Sequence, residues 1–254
     1  MLLNYTKTGT GPHVVLMHGL FGSLDNLNII AKALSEYFCV INVDLRNHGQ
    51  SFHDESMDYP SMAQDIIVLM DHLGIEKSHI IGHSMGGKVA MQIAMLAEQR
   101  VNRLVVLDIA PVTYHSRHDE IIKGLNAVAQ STQINKRSDA DKLLSNYIAE
   151  AGVRQFLLKS LEKNVQNKFN WRFNLPTISK NYTNITTNIN ETHSCLCDTL
   201  FIKGNNSDYI VPEHKEAITR CFINAKAKVI HGAGHWLHAE KPQSVNRSII
   251  DFLQ

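Results

Sequence analysis

Short apolar runs alternate along this chain with longer segments in which apolar residues recur every three or four positions. The first kind reads as a strand buried on both faces and the second as a helix lying against it. Their alternation predicts a mainly parallel central sheet flanked by helices. The predicted strands cover residues 13–17, 39–43, 78–81, 103–107, 199–202 and 226–230. Leu27, Ile30, Ala31, Leu34 and Phe38 give residues 26–37 a helical face, and Met62, Ile66, Leu69, Met70 and Leu73 do so for 61–73, with Gly74 as the stop. Val89, Ile93 and Leu96 carry another helix, and a last one is expected over 243–253.

The interval from Asp108 to Thr199 breaks the rhythm, being far longer than a strand-to-strand crossover needs. It holds periodic stretches near 119–129, 139–150 and 153–162, then a polar segment rich in Asn and Thr that runs to about 192. These predict a helical cap inserted after the strand that ends at Asp108. The core is expected over 1–111 and 193–254, and the cap over 112–192.

A chain of 254 residues, 44% of them hydrophobic, can bury the core of one large domain. Its 25 Lys and Arg nearly balance 24 Asp and Glu, so no basic field points to nucleic acid. No apolar run approaches the ~18 residues of a membrane span, and the apolar start at Met1–Leu3 is too short for a signal peptide. A cytoplasmic protein is expected, monomeric or homodimeric, with Cys39, Cys195, Cys197 and Cys221 as reduced thiols. No cofactor is expected, and no ligand spacing suggests a metal.

The chemistry concentrates at Gly82-His83-Ser84-Met85-Gly86. A bare Gly-x-Ser-x-Gly is a weak signal, but this one follows a predicted strand and opens a predicted helix. That is the context of a nucleophile elbow, which points to the α/β-hydrolase fold and makes Ser84 the nucleophile. A serine hydroxyl needs a base. His235, in Gly232-Ala233-Gly234-His235-Trp236 after the last strand, reaches the same sheet edge, ahead of its neighbour His238. Oxyanion donors are expected from the backbone of Met85 and of Leu20, in the loop His18-Gly19-Leu20-Phe21-Gly22. His18 and His83 read as structural.

The acid is less direct. A Gly-x-x-Asp pattern would place it after the strand at 199–202, but the chain reads Gly204-Asn205-Asn206-Ser207-Asp208. Ser207 stands where the carboxylate belongs and Asp208 is one residue late. Asp108, closing an earlier strand at the same edge, is favoured over Asp208, with Ser207 hydrogen-bonded nearby. Asp44 reads as a structural group that bonds backbone or Arg46.

Five motifs in order then carry a resemblance: His18-Gly19-Leu20-Phe21-Gly22-Ser23, Asp44-Leu45-Arg46-Asn47-His48-Gly49, Gly82-His83-Ser84-Met85-Gly86-Gly87, Leu107-Asp108-Ile109-Ala110-Pro111-Val112 and the segment around His235. The chain resembles the bacterial YbfF-type esterases, relatives of the abhydrolase-domain 11 proteins. The resemblance implies a carboxylesterase or acyl-thioester hydrolase with a helical lid; small to medium acyl esters are the expected substrates, with acyl-CoA one candidate among them. It also implies an acid at Asp108 with a serine at the place of Ser207. Phe21, Phe156, Leu157, Trp171, Phe173 and Trp236 are the expected apolar contacts of a small ester or thioester substrate. The alternatives are a perhydrolase, lyase or C–C hydrolase on the same fold, or a slow-turnover receptor.

Overall fold

The apolar runs pair into one twisted sheet in the computed structural model, which describes residues 1–254. Its strands are β1 (Tyr5–Thr8), β2 (His13–Met17), β3 (Cys39–Val43), β4 (Ser78–His83), β5 (Val101–Leu107), β8 (Thr199–Gly204) and β9 (Ala225–Ile230). They lie in the order β1-β3-β2-β4-β5-β8-β9, and all neighbours are parallel except β1 and β3. The polar strand β1 was not expected from the pattern. It is held by its register, Tyr5 opposite Val43, rather than by burial. The last strand, β9, is also less buried than its apolar content implies. Its interior residues are exposed because it is an edge, and Lys226 and Lys228 on it disfavour pairing with another chain.

Helices cover both faces. On one, α1 (Asn28–Leu34) and α11 (Pro242–Leu253) bury Ile30, Leu34, Val245 and Ile249 against Val14, Leu16, Val105 and Leu107. On the other, α2 (Tyr59–His72) and α3 (Met85–Ala97) pack Met62, Ile66, Val89 and Ile93 onto Val15, Ile41, Ile80 and Leu104. Such two-sided burial is what hydrophobic strands of a parallel sheet require. Leu96, expected on the inner face of α3, is 43% exposed. Two short helices complete the core layer: α9 (Lys215–Cys221) links β8 to β9, and α10 (Leu237–Glu240) leads into α11.

Between β5 and β8 the chain forms α4 (Asp119–Gln130), α5 (Arg137–Leu144), α6 (Ala151–Leu158), the hairpin β6 (Leu161–Lys163) with β7 (Phe169–Trp171), α7 (Leu175–Lys180) and α8 (Tyr182–Thr186). The periodic stretches at 139–150 and 153–162 are therefore shorter as helices than expected. Arg154 donates to the carbonyls of Ile148 and Ala149, closing the turn between α5 and α6, and residue 161 already belongs to the hairpin. The polar segment before 192 is not a loop throughout but contains the two short helices α7 and α8. The inserted segment is fastened to the core at its roots. Lys88 of α3 donates to the carbonyls of Val112 and Thr187, and Gln92 exchanges hydrogen bonds with the backbone of Asn190.

Candidate active site

Ser84 sits between the last residue of β4 and the first of α3, at φ 53° and ψ −118°. A side chain rarely adopts a positive φ, so the turn must be imposed by its surroundings. It is imposed by close backbone packing. A Cβ on Gly82 would lie 2.0 Å from the Gly86 carbonyl oxygen, so only glycine lets β4 and α3 approach this closely. The result leaves the Ser84 hydroxyl partly exposed at the carboxyl edge of the sheet, at the start of a helix whose first-turn N–H groups lack helical partners.

His235 reaches Ser84 from the loop after β9, with its Nε2 3.0 Å from Ser84 Oγ. Its Nδ1 donates to Asp108 Oδ2 over 2.8 Å. That bond fixes the tautomer, leaving Nε2 free to accept the serine proton. Asp108 has no solvent exposure and also stands at positive φ, 52°. Its Oδ2 accepts from Ser207 Oγ as well, and its Oδ1 accepts the Gly204 N–H at 3.1 Å. A fully buried carboxylate is tolerable because every lone-pair direction in use has a donor. Asp208 turns the other way. Its side chain is 75% exposed and pairs with Arg117 at 2.7 Å.

The other histidines named in the sequence take structural places. His83 Nε2 donates to the His235 carbonyl at 2.9 Å, and its ring packs on those of His235 and His238. Burial holds His83 well below the ordinary histidine range and pushes His238 down to about 3, and neighbouring His235 adds to both effects. His18 donates through Nδ1 to the Gly19 carbonyl at 2.8 Å and accepts the Leu45 N–H on Nε2 at 3.1 Å. His48 accepts the Phe21 N–H at 3.2 Å and donates to the Arg46 carbonyl at 2.9 Å. Both roles need a neutral ring, and burial lowers both, His48 to about 3. Asp44 accepts the N–H groups of Leu24 and Gln50, while Arg46 turns to Asp65 instead.

These bonds shape the loop that carries Leu20. Phe21 is held at φ 60°, its N–H taken by His48 and its carbonyl by Ser160 of the inserted segment. Gly22 closes the turn onto the Gly19 carbonyl. The Leu20 N–H is left without a protein acceptor beside Ser84. With the N–H of Met85 at the helix start, this supplies the two donors that an oxyanion hole needs.

A cleft of about 380 Å³ opens over Ser84. Of the apolar contacts named from the sequence, Phe21, Phe156, Leu157 and Trp236 line it, and Leu20 lies beside them. Trp171 and Phe173 do not. They stack on each other at 5.3 Å, only 5% and 3% exposed, with Trp171 Nε1 bonded to the Leu125 carbonyl and Phe173 packed behind Phe21. Their apolar setting on the inserted segment was legible, but not which side of its wall they occupy. The sequence reading also missed Tyr209, whose ring lies on His235, and Arg117 and His118 at the cleft. Tyr209 directly follows the Ser207–Asp208 loop, which was the one available signal.

Glu98, His193 and Cys195 bring candidate ligand atoms within 4.8 Å of one another near the start of β8, at the opposite edge of the sheet from Ser84. Sequence spacing gave no sign of this grouping. The Glu98 carboxylate already accepts the N–H groups of Leu196 and Cys197, so the cluster anchors a loop.

With this geometry, a family model for the α/β hydrolase fold matches residues 12–242. The chain belongs to the α/β-hydrolase family. It is 44% identical to esterase YbfF of Escherichia coli over 94% of this chain and 92% of that protein. It is 40% identical to the mouse sn-1-specific diacylglycerol lipase ABHD11 over 96% of this chain and 81% of that protein. A solved structure described as a marine microorganism esterase superposes with a TM-score of 0.95 at 37% identity, covering 99% of each chain. These are the relatives that the motif resemblance led us to expect.

Proposed function

We propose that this protein is a serine esterase that hydrolyses small acyl esters and thioesters through an acyl-Ser84 intermediate. The observation that carries the reading is the continuous hydrogen-bonded chain from Asp108 through His235 to Ser84, ending beside the unpartnered Leu20 N–H. The esterases among the relatives support the ester as the bond attacked.

The proposed cycle uses only these groups. Ser84 Oγ bonds to the substrate carbonyl carbon as its proton passes to His235 Nε2, and the carbonyl oxygen becomes an oxyanion held by the Leu20 and Met85 N–H groups. The imidazolium is stabilised by Asp108, which keeps its negative charge throughout. The bond to the leaving oxygen or sulfur breaks as His235 returns the proton to it. Water then attacks the acyl-enzyme with His235 as base, releasing the carboxylic acid and restoring Ser84. Burial of Asp108 strengthens its interaction with His235 by excluding water from between them.

The test is turnover of an aryl ester panel and of acyl-CoA thioesters by wild type and Ser84→Ala, with fluorophosphonate labelling alongside. Wild type should label and turn over, and Ser84→Ala should do neither. More than trace hydrolysis by Ser84→Ala would refute the assignment. Labelling without steady-state turnover would instead indicate a receptor.

A further inference from the structure

Ser84 stands where two cavities meet. One is the outer cleft, and the other, of about 40 Å³, runs inward between α3 and the roots of the inserted segment. Met85, Ile109, Tyr114, Tyr182 and Ile185 wall this inner cavity, and Lys88 also borders it. Leu20, Ser84, Arg117, His118 and Tyr209 belong to both spaces, whereas His235 and Trp236 border only the outer one.

This asymmetry assigns the two halves of an ester. In the tetrahedral intermediate the reacting carbon carries Ser84 Oγ, the oxyanion, the leaving group and the acyl chain. The oxyanion is fixed at the Leu20 and Met85 N–H groups. The leaving atom must be protonated by His235 Nε2, so it has to lie on the side that His235 borders, which is the outer cleft. The direction left for the acyl chain is the inner cavity beside Met85.

Resting on the esterase reading above, we infer that the inner cavity is the acyl pocket and restricts the enzyme to short, unbranched acyl groups, while the outer cleft accepts bulky leaving groups. At roughly 10–15 Å³ for each water-sized group, the inner cavity has room for about three, which fits acetyl to butyryl chains. Its interior is mostly hydrocarbon and aromatic. The Lys88 amine, the nearest cation on α3, is already bound by the Val112 and Thr187 carbonyls and sits over the rings of Tyr59 and Tyr114. Arg117, the other cation on the lining, is paired with Asp208 and lies over the rings of Tyr114 and Tyr209, so a charged acyl tail would have to compete for partners already in use. Ile185, on α8, is an aliphatic part of the wall that the inserted segment supplies together with Tyr114 and Tyr182.

The experiment compares two substrate series on the wild-type protein. With p-nitrophenol as the fixed leaving group, kcat/KM should fall by about tenfold or more between butanoate and hexanoate, the range one extra increment of chain commands in a tight apolar pocket. With acetyl as the fixed acyl group, replacing phenyl by naphthyl should change kcat/KM by less than about threefold. Ile185→Ala, checked for folding by circular dichroism, should move the cut-off to longer acyl chains and leave the leaving-group series unchanged; Ile185→Val is the milder form of the same change. Octanoate turned over as well as butanoate by wild type would overturn the assignment, as would a cut-off unmoved in a folded Ile185→Ala. Absence of turnover on every ester, with no labelling of Ser84, would sink the esterase reading instead.

Discussion

The ring of Tyr209 lies flat on the imidazole of His235, with centroids 3.7 Å apart and planes 15° from parallel. The Arg117 guanidinium also lies over the Tyr209 ring, 4.7 Å from its centre. His235 is on a loop, where an imidazole held only by hydrogen bonds at its two nitrogens could still swing about the line between them. A flat ring against its face removes that freedom. The same short loop supplies Ser207 to Asp108, so one segment orients both the base and its carboxylate.

Tyr209→Phe should keep kcat within about twofold, since the ring face is what His235 meets. Tyr209→Ala should lower kcat by about 10- to 100-fold, the scale on which small misplacements of reacting groups act. Steady-state kinetics on a p-nitrophenyl ester would check this, with equal losses in the two variants counting against the stacking role.

Asp108→Asn should cost about 10⁴ in kcat, because an amide at that position no longer selects the Nδ1–H tautomer or stabilises the imidazolium. Asp208→Asn should change kcat by less than about fivefold, because it removes only an exposed ion pair with Arg117. Kinetics on the two purified variants under one set of conditions decide between the carboxylates.

Acid should destabilise the protein through its neutral interior histidines. Burial holds His48 and His238 at about 3 and His79 and His118 at about 4, against an ordinary value of 6.5. As pH falls below 6.5 the unfolded chain takes up protons that the folded one refuses, so stability drops down to the folded values near 4 and 3. Each such histidine contributes at most roughly 1.4 kcal/mol per pH unit in that window. Urea midpoints measured from neutral to mildly acidic pH should fall steeply for wild type and less steeply for His48→Gln. Parallel slopes would count against His48.

Lys88 gives a second pH dependence at the alkaline end. It is 1% exposed and no carboxylate contacts it, and burial lowers it from 10.5 to about 7. The unfolded chain therefore binds the Lys88 proton more tightly, and stability should rise as pH increases from about 7 towards 10.5. Lys88→Met should lose that rise and should also loosen the Val112 and Thr187 roots of the inserted segment. Thermal melts across this range, with hydrogen exchange at those roots, would show it.

The parts of this protein that were readable in the sequence are those governed by local chemistry. Gly82 and Gly86 around Ser84 announce a close backbone approach, and the apolar runs before Gly82 and Asp108 announce buried strands. The polar strand β1 gave no such signal, because an edge strand is held by a partner's backbone and not by its own side chains. The short helices α7 and α8 were likewise hidden in an Asn- and Thr-rich stretch. Their stability comes from Leu175, Ile178, Tyr182 and Ile185 packing into the core rather than from helical propensity.

What the sequence by itself determined was an α/β fold with an insertion after Asp108, Ser84 on its elbow and His235 at the same edge. Motif and strand order are local properties, and they survive without coordinates. Only the tertiary structure decided that Asp108 faces His235 while Asp208 points to solvent, that Tyr209 covers the imidazole, and that Trp171 and Phe173 stand behind the cleft wall. Each of these depends on which way a side chain leaves its backbone, and a one-residue step along a loop or strand reverses that direction without changing the pattern of residues.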